Sequence, residues 1–246
     1  QFDRRQAPRQ TTTRDDGNQF NINVLGTLAE DVDYGVRYSR FEGGSGGAGP
    51  DGFSRRGADI LAPYVDGAAG DFHYRFGGHW IRGGRGNELT KNSGALHGRG
   101  DYQMTPELRI DGQVLHAMDG AIVGSGFDSF SSLIHNSPEN DRTATRIAAL
   151  DVGGPSTRAE DGFSRTLLAS RMNLELLQWT FKASAGWVDY DNDAASESVA
   201  FADLQAHYNV TPSATLFATT GYADADEDVF GRDDFWANSV NLRVRF

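Results

Sequence analysis

The chain has 246 residues, 30 of them glycine, 7 proline and none cysteine, with Lys+Arg 23 against Asp+Glu 34 and a formal charge of −11. The lack of cysteine excludes a disulfide scaffold and thiolate chemistry. The acidic balance argues against nucleic acid as a partner, because such binding depends on neutralising phosphates, and no run approaches the ~18 apolar residues of a transmembrane helix.

Gln1 rather than Met opens the chain, which therefore reads as processed, trimmed or rebuilt; a removed signal peptide would explain it. Residues 1–17 are strongly polar and read as a flexible N-terminal leader, leaving 18–246 as one β domain. From there the dominant signal is alternation of period two, the mark of a strand with two unlike faces. Noisier versions cover 19–28, 33–41 and 57–66. At 71–82, Phe72, Tyr74, Phe76 and Trp80 oppose His73, Arg75 and His79; another strand follows at 95–104. At 107–118, Leu108, Ile110 and Val114 oppose Arg109, Asp111 and Gln113. Residues 119–152 alternate poorly and read either as one long connection or as an additional hairpin near 121–134 and 143–152. Alternation resumes at 168–176, where Leu168, Met172, Leu174 and Leu176 oppose Arg171, Asn173 and Glu175. It continues through 179–190, 200–210 and 214–223, and is clearest at the end, where Trp236, Val240, Leu242, Val244 and Phe246 oppose Ser239, Asn241, Arg243 and Arg245.

The connections argue for one architecture over another. Tight ones lie at Ala29–Asp31, Thr105–Glu107, 176–178 and Thr211–Ser213; long, acidic and glycine-rich ones lie at 42–57, 83–94, 152–163, 190–199 and 224–234. Alternating short and long connections is the layout of a transmembrane barrel with short periplasmic turns and longer external loops. In that arrangement apolar faces meet lipid and charged faces line a wet lumen. Arg37, Arg75, Arg99, Arg109, Arg171, Lys182, Arg243 and Arg245 would then line a pore together with Asp101, Asp111, Glu175 and Asp203. Tyr102, Tyr208, Trp179, Trp187, Trp236 and Phe246 fall near strand ends, where interfacial aromatic girdles belong. The competing reading is a soluble β-sandwich with these faces reversed. The count without the extra hairpin is eleven strands and with it thirteen; single-chain bacterial barrels have even numbers, so twelve strands are expected, with fourteen as the alternative.

The segment Trp236-Ala-Asn-Ser-Val-Asn-Leu-Arg-Val-Arg-Phe246 resembles the terminal strand of Gram-negative outer-membrane β-barrel proteins, and Tyr208-Asn-Val-Thr-Pro-Ser-Ala-Thr-Leu216 is similar to the periplasmic turns of porins. Tyr102-Gln-Met-Thr-Pro-Glu-Leu108 nearly repeats that turn. The resemblance implies a location in the bacterial outer membrane, contact with lipid bilayer and lipopolysaccharide, and recognition by the barrel-assembly machinery through the C-terminal strand. By the same analogy it implies a homo-oligomer.

The function expected from these features is a porin-like channel for passive diffusion of small hydrophilic solutes or ions through a charged lumen, constricted by 42–57 or 119–142. The alternative is a structural or export-complex barrel working with a partner protein. No enzyme is expected: Asp203 and His207, like His97 and Asp101, lie too far apart along their strands to act as direct neighbours, and no nucleophile or phosphate-loop motif is present. Arg99-Gly-Asp101 sits on an alternating strand and reads as a chance tripeptide. The runs Asp189/Asp191/Asp193 and Asp224/Asp226/Asp228 read first as solvated acidic loops, with a Ca²⁺ site or divalent bridging to lipopolysaccharide as the other reading. No cofactor is otherwise implied.

Overall fold

The computed structural model of the chain describes residues 2–5, 17–43, 57–83, 93–118, 164–191, 196–225 and 234–244. A four-residue segment, β1 (Phe2–Arg5), is followed by longer strands: β2 (Gly17–Ala29), β3 (Val32–Gly43), β4 (Ala58–Ala69), β5 (Phe72–Gly83), β6 (Ser93–Gln103) and β7 (Leu108–Met118). Then come β8 (Ser164–Leu176), β9 (Trp179–Asp191), β10 (Ser196–Thr211), β11 (Ala214–Asp224) and β12 (Asp234–Val244). All lie in one sheet in which each strand pairs antiparallel with its neighbours in sequence. The eleven strands β2–β12 coincide with the eleven periodic stretches, and β1 lies within the expected leader. The hairpin required by the fourteen-strand alternative lies outside the described residues.

Hairpin parity orders the sheet. Because eleven strands alternate in direction, β2 and β12 run the same way, and β1, antiparallel to β2, runs opposite to both. Among the described residues no pairing joins β12 to β1 or β2. The five tight turns all fall on one rim, where backbone bonds lace successive turns to the next hairpin. Ala68 N donates to Asp31 O (3.0 Å), Gln103 N to Asp71 O (3.2 Å), Glu175 N to Glu107 O (2.9 Å) and Asn209 N to Gln178 O (2.9 Å). One tight turn, at Gly70–Asp71, was not among those read from the sequence; Gly70 has φ 62°, a conformation glycine reaches without steric cost. The opposite rim carries the long connections. One of these is shorter than expected: β9 runs to Asp191 and β10 begins at Ser196, leaving 192–195 rather than 190–199.

The burial pattern is inverted relative to a water-soluble sheet. One face buries Gln19, Asn21, Ser39, Asp111, Gln113, Arg171, Asn173, Ser184, Asp203 and Gln205. The other exposes Phe20, Ile22, Leu61, Phe76, Leu96, Val114, Leu168, Met172, Leu204, Val240 and Leu242. Burying such a side chain is worth ~1.5–3 kcal/mol each, so a face of this extent in water would be a severe liability. In hydrocarbon it is the favoured arrangement. Aromatic rings on this exposed face gather towards the two rims. Phe72 and Tyr74 lie 6.1 Å apart and Trp179 and Tyr208 4.6 Å apart near the short turns; Tyr222 and Trp236, 5.8 Å apart, lie near the other rim.

Many of the glycines are not in turns. Several sit mid-strand where a neighbouring ring occupies the space of a side chain. A Cβ on Gly98 would meet the Phe76 ring at 2.8 Å, one on Gly67 the Tyr74 ring at 2.6 Å, and one on Gly94 the Trp80 indole at 2.8 Å. A ring laid over the facing glycine restores contact that the bare backbone lacks. Pro63, which has no N–H, coincides with a gap in the β4–β5 ladder between the Leu61–Trp80 and Tyr64–Gly77 pairs.

The inversion gives a direct expectation. Leu168→Arg, near the middle of β8 on the exposed face, should destabilise the protein in phospholipid vesicles by ~2–4 kcal/mol, as a cation near the bilayer midplane does. Reversible denaturant unfolding measures it; an unchanged stability would place this face in water.

Candidate functional site: the covered polar face

The covered face is built by period-two geometry alone. In register across the sheet, Arg37 faces Asn23 and Ala62, Arg75 faces Asp66 and Arg99, and His73 faces Asp101, which faces Asp111. Asp111 faces Arg171, Asn173 faces Lys182, Lys182 faces Gln205, and Asp203 faces Ser184. Arg109, Glu175 and Arg243 lie on the same face, nearer the short-turn rim. Eleven of the twelve residues read as inward from sequence therefore share one face; Arg245 lies outside the described residues, as does Phe246.

Their environments divide this face in two. Across β7 and β8, Asp111 is fully buried, accepts hydrogen bonds from two donors and stands in an ion pair with a second guanidinium. Arg171 Nε donates to its Oδ2 at 2.9 Å, Asn173 Nδ2 bonds the same oxygen, and Arg109 Nε approaches Oδ1 at 3.0 Å. Arg171 is itself 2% exposed, and Gln205 Nε2 donates to Asp203 Oδ1 at 3.2 Å in an equally buried setting. Across β2–β6, by contrast, the charged groups meet solvent. The Arg75 side chain is 65% exposed while its Nε donates to Asp66 Oδ2 at 2.5 Å. Arg37 is exposed and donates to Asn21 Oδ1 and Ser39 Oγ, both at 3.2 Å. His73, Asn23, Thr27 and Asp33 are exposed on the same stretch of wall.

The upper part of the β7–β12 wall departs from the expected charged lining. Leu115, Leu167, Val188, Val199, Phe201, Ala223 and Phe235 form a buried apolar cluster on the covered face, towards the long-connection rim. Alternation fixes which side a residue faces but not whether that side is wet, so period-two patterning alone does not distinguish this dry patch from a wet wall. Above it, Arg165, Tyr190 and Glu197 lie in register across β8, β9 and β10, all buried. Arg165 and Glu197 lie outside the stretches of visible alternation, which begin at 168 and 200, so sequence patterning does not reach them. Both share parity with residues that were found, Arg165 with Arg171 and Glu197 with Asp203.

The acidic runs resolve differently. Asp189 and Asp191 are strand residues of β9, and Asp224 is the last residue of β11, rather than members of free loops. Asp189 Oδ1 accepts from Ser198 Oγ at 2.9 Å across the β9–β10 pair. Asp193, Asp226 and Asp228 lie outside the described residues. Among the described residues no three metal-binding side chains lie together.

The buried ion cluster carries its own expectation. Asp111→Ala removes the one carboxylate shared by Arg109 and Arg171 and leaves buried charge uncompensated, a change that costs about 3–5 kcal/mol in buried pairs. The unfolding midpoint should fall accordingly in the same vesicle assay, while Arg75→Ala, at an exposed pair, should change it by less than about 1 kcal/mol.

No protein-family model matches the sequence, and neither does any curated protein. Among solved structures the chain is similar to a porin, with TM-score 0.54 and 13% identity, covering 97% of this chain and 64% of the porin. It is also similar to the NanC porin (TM-score 0.41, 10% identity, 94% of each chain) and to the outer membrane channel DcaP of Acinetobacter baumannii (TM-score 0.46, 13% identity, 96% of this chain and 66% of that one). The chain thus spans less than two-thirds of the length of the first of these. The first likeness shows the fold: an antiparallel all-β sheet like that of the porin.

Proposed function

We propose that the protein is an outer-membrane channel that lets small hydrophilic solutes and ions diffuse passively through a charged lumen. One observation carries the reading: large apolar side chains stand exposed on one face of the sheet from β2 to β12, while the opposite face carries the charged and amide side chains, which are covered most completely on β7–β10. Only a bilayer outside and a polar interior make both faces favourable at once. Strands of 11–16 residues are long enough to cross the hydrocarbon when tilted.

In this reading the barrel closes through β1. An eleven-stranded closure would set β2 beside β12 in parallel, whereas β1 runs antiparallel to both edges and makes the twelfth strand. The open path runs along the β2–β6 wall, where Arg37, Arg75, Asp33 and His73 reach solvent. Arg171 and Asp111, though on the same face, serve as a buried brace. The pore-lining set is therefore narrower than the set of inward charges: Arg37, Arg75, Arg99 and Asp101 meet the permeating solute. Insertion is directed by the C-terminal strand, and the exposed face meets phospholipid and lipopolysaccharide.

Planar-bilayer recording tests the reading. Purified protein should insert in discrete conductance steps, and Arg37→Glu combined with Arg75→Glu should move the zero-current potential in a salt gradient towards cation selectivity. Because wall charges act through a local field focused by low-dielectric walls, the same substitution should matter less at high salt. Absence of stepwise conductance from protein that migrates as a folded, heat-modifiable band would overturn the channel.

A further inference from the structure

Two large apolar side chains break the chemistry of the polar face that carries them. Leu25 is 70% exposed and Tyr64 43%, yet by register both stand on the side of Asn23, Arg37 and Asp66. Leu25 pairs with Gly35, and Gly35 with Tyr64, across β2, β3 and β4. Both side chains reach into the space above the glycine: a Cβ on Gly35 would meet Tyr64 Cζ at 2.8 Å and Leu25 Cδ2 at 2.9 Å. They converge there into one apolar shelf. No ring or cation stacks on Tyr64 among the described residues, so its exposed surface is open to a solute.

The same row runs on through Gly77 and His97 to Leu115 and Leu167 of the dry cluster, so the shelf is the solvent-facing end of an apolar level inside the sheet. The levels on either side are polar. Towards the short-turn rim, Thr27, Asp33, Asp66 and Arg75 lie in register and bond in pairs, Thr27 Oγ1 donating to Asp33 Oδ1 at 2.8 Å and Arg75 Nε to Asp66 Oδ2. Towards the long-connection rim stand Asn23 and Arg37. Arg37 differs from Arg75 in its partners. Its Nε and Nη2 donate to Ser39 Oγ and Asn21 Oδ1, both neutral, which occupies two of the five N–H groups of a guanidinium. Among the described residues it meets no carboxylate.

On the outer face, rings laid over glycine meet lipid. On the wet face the same arrangement sets hydrocarbon against water, which favours an apolar guest. An exposed guanidinium, held in place by neutral acceptors and with its charge uncompensated, stands two residues from the covered glycine, about 7 Å along β3 at ~3.4 Å per residue. That separation fits a guest whose flat apolar ring lies on Tyr64 and Leu25 while its anionic group reaches Arg37.

We infer that Leu25, Tyr64 and Arg37 form a binding shelf for small aryl carboxylates in the wall of the lumen. The shelf names a solute class for the channel proposed above and rests on that reading for its place in transport; the binding itself does not. Arg37 takes the carboxylate through N–H groups that Ser39 and Asn21 leave open, and the ring of the solute displaces water from Tyr64 and Leu25.

Ligand-observed NMR titration of the full chain folded in detergent tests the shelf, with benzoate as the probe, acetate as the ringless control and benzyl alcohol as the uncharged one, each against protein-free detergent. Benzoate should bind saturably and more tightly than either control. Arg37→Gln should weaken benzoate by about tenfold or more, the scale of losing hydrogen bonds to a charged group. Tyr64→Ala should weaken it several-fold, and Tyr64→Phe should retain it, because the ring and not the hydroxyl is used. Leu25→Asn, at a side chain open to solvent, should also weaken benzoate several-fold, and keeps the test decisive if Tyr64→Ala loses its folded band. Equal binding of benzoate and acetate, no saturable benzoate binding, or unchanged affinity in Arg37→Gln or Leu25→Asn would each overturn the inference. Benzoate binding by a protein that is silent in planar bilayers would sink the channel and leave the shelf standing. Conductance without benzoate binding would do the reverse.

Discussion

In hydrocarbon no water is present to satisfy a peptide group, so a spanning chain must pair its backbone internally and turn its apolar side chains outward. Every larger feature of this protein follows from that constraint. The backbone requirement is met by antiparallel ladders that join each strand from β1 to β12 to its neighbours in sequence. The side-chain requirement is met by period-two sequences whose oily rows are exposed and whose amide, arginine and aspartate rows are covered. Glycine is part of the same solution: Gly67, Gly94 and Gly98 leave room for rings from the adjoining strand, so the outer surface is filled by aromatics lying across backbone.

The covered face then divides the work. On β7 and β8, Asp111 is enclosed with Arg171, Asn173 and Arg109, and a charge cluster of that kind holds a register because a one-residue slip would send every member into lipid. Higher on the same strands the cluster around Leu115, Leu167 and Phe201 is dry. On β2–β6 the side chains of Arg37 and Arg75 reach solvent while still bonded to Asn21, Ser39 and Asp66. Side chains that are anchored and yet wet are suited to presenting a fixed field to passing ions; side chains that are anchored and dry are suited to stiffening a wall.

Strand existence and facing were legible because a period of two survives substitution wherever one face must be apolar. The parity of Arg75, Asp111 and Asp203 puts them on one face without any knowledge of partners. Strand extent was less legible where both faces are apolar: Leu167 and Leu168 are adjacent, so alternation fades and the start of β8 at Ser164, with Arg165 on it, was lost. Abundant glycine suggested turns, and only the neighbour across the ladder shows why Gly98 stands mid-strand. Wetness was not legible at all. Asp111 and Arg75 look alike in sequence, and their opposite fates depend on what stands over them. Thr180, His207, Phe217 and Arg243 come from four different strands to one cavity near the short-turn rim, a juxtaposition that register alone creates.

The sidedness of the sheet is tested most directly by site-directed spin labels walked along β5 from Phe72 to Arg82 in protein reconstituted into phospholipid vesicles, comparing collision with oxygen against collision with a water-soluble nickel chelate. Even-numbered positions, Phe76 and Trp80 among them, should favour oxygen, and odd-numbered positions, Arg75 and His73 among them, should favour the chelate, with the preference reversing at each step. A reversed phase, or chelate access on both faces, would contradict a lipid-facing apolar surface and with it the account of the polar interior.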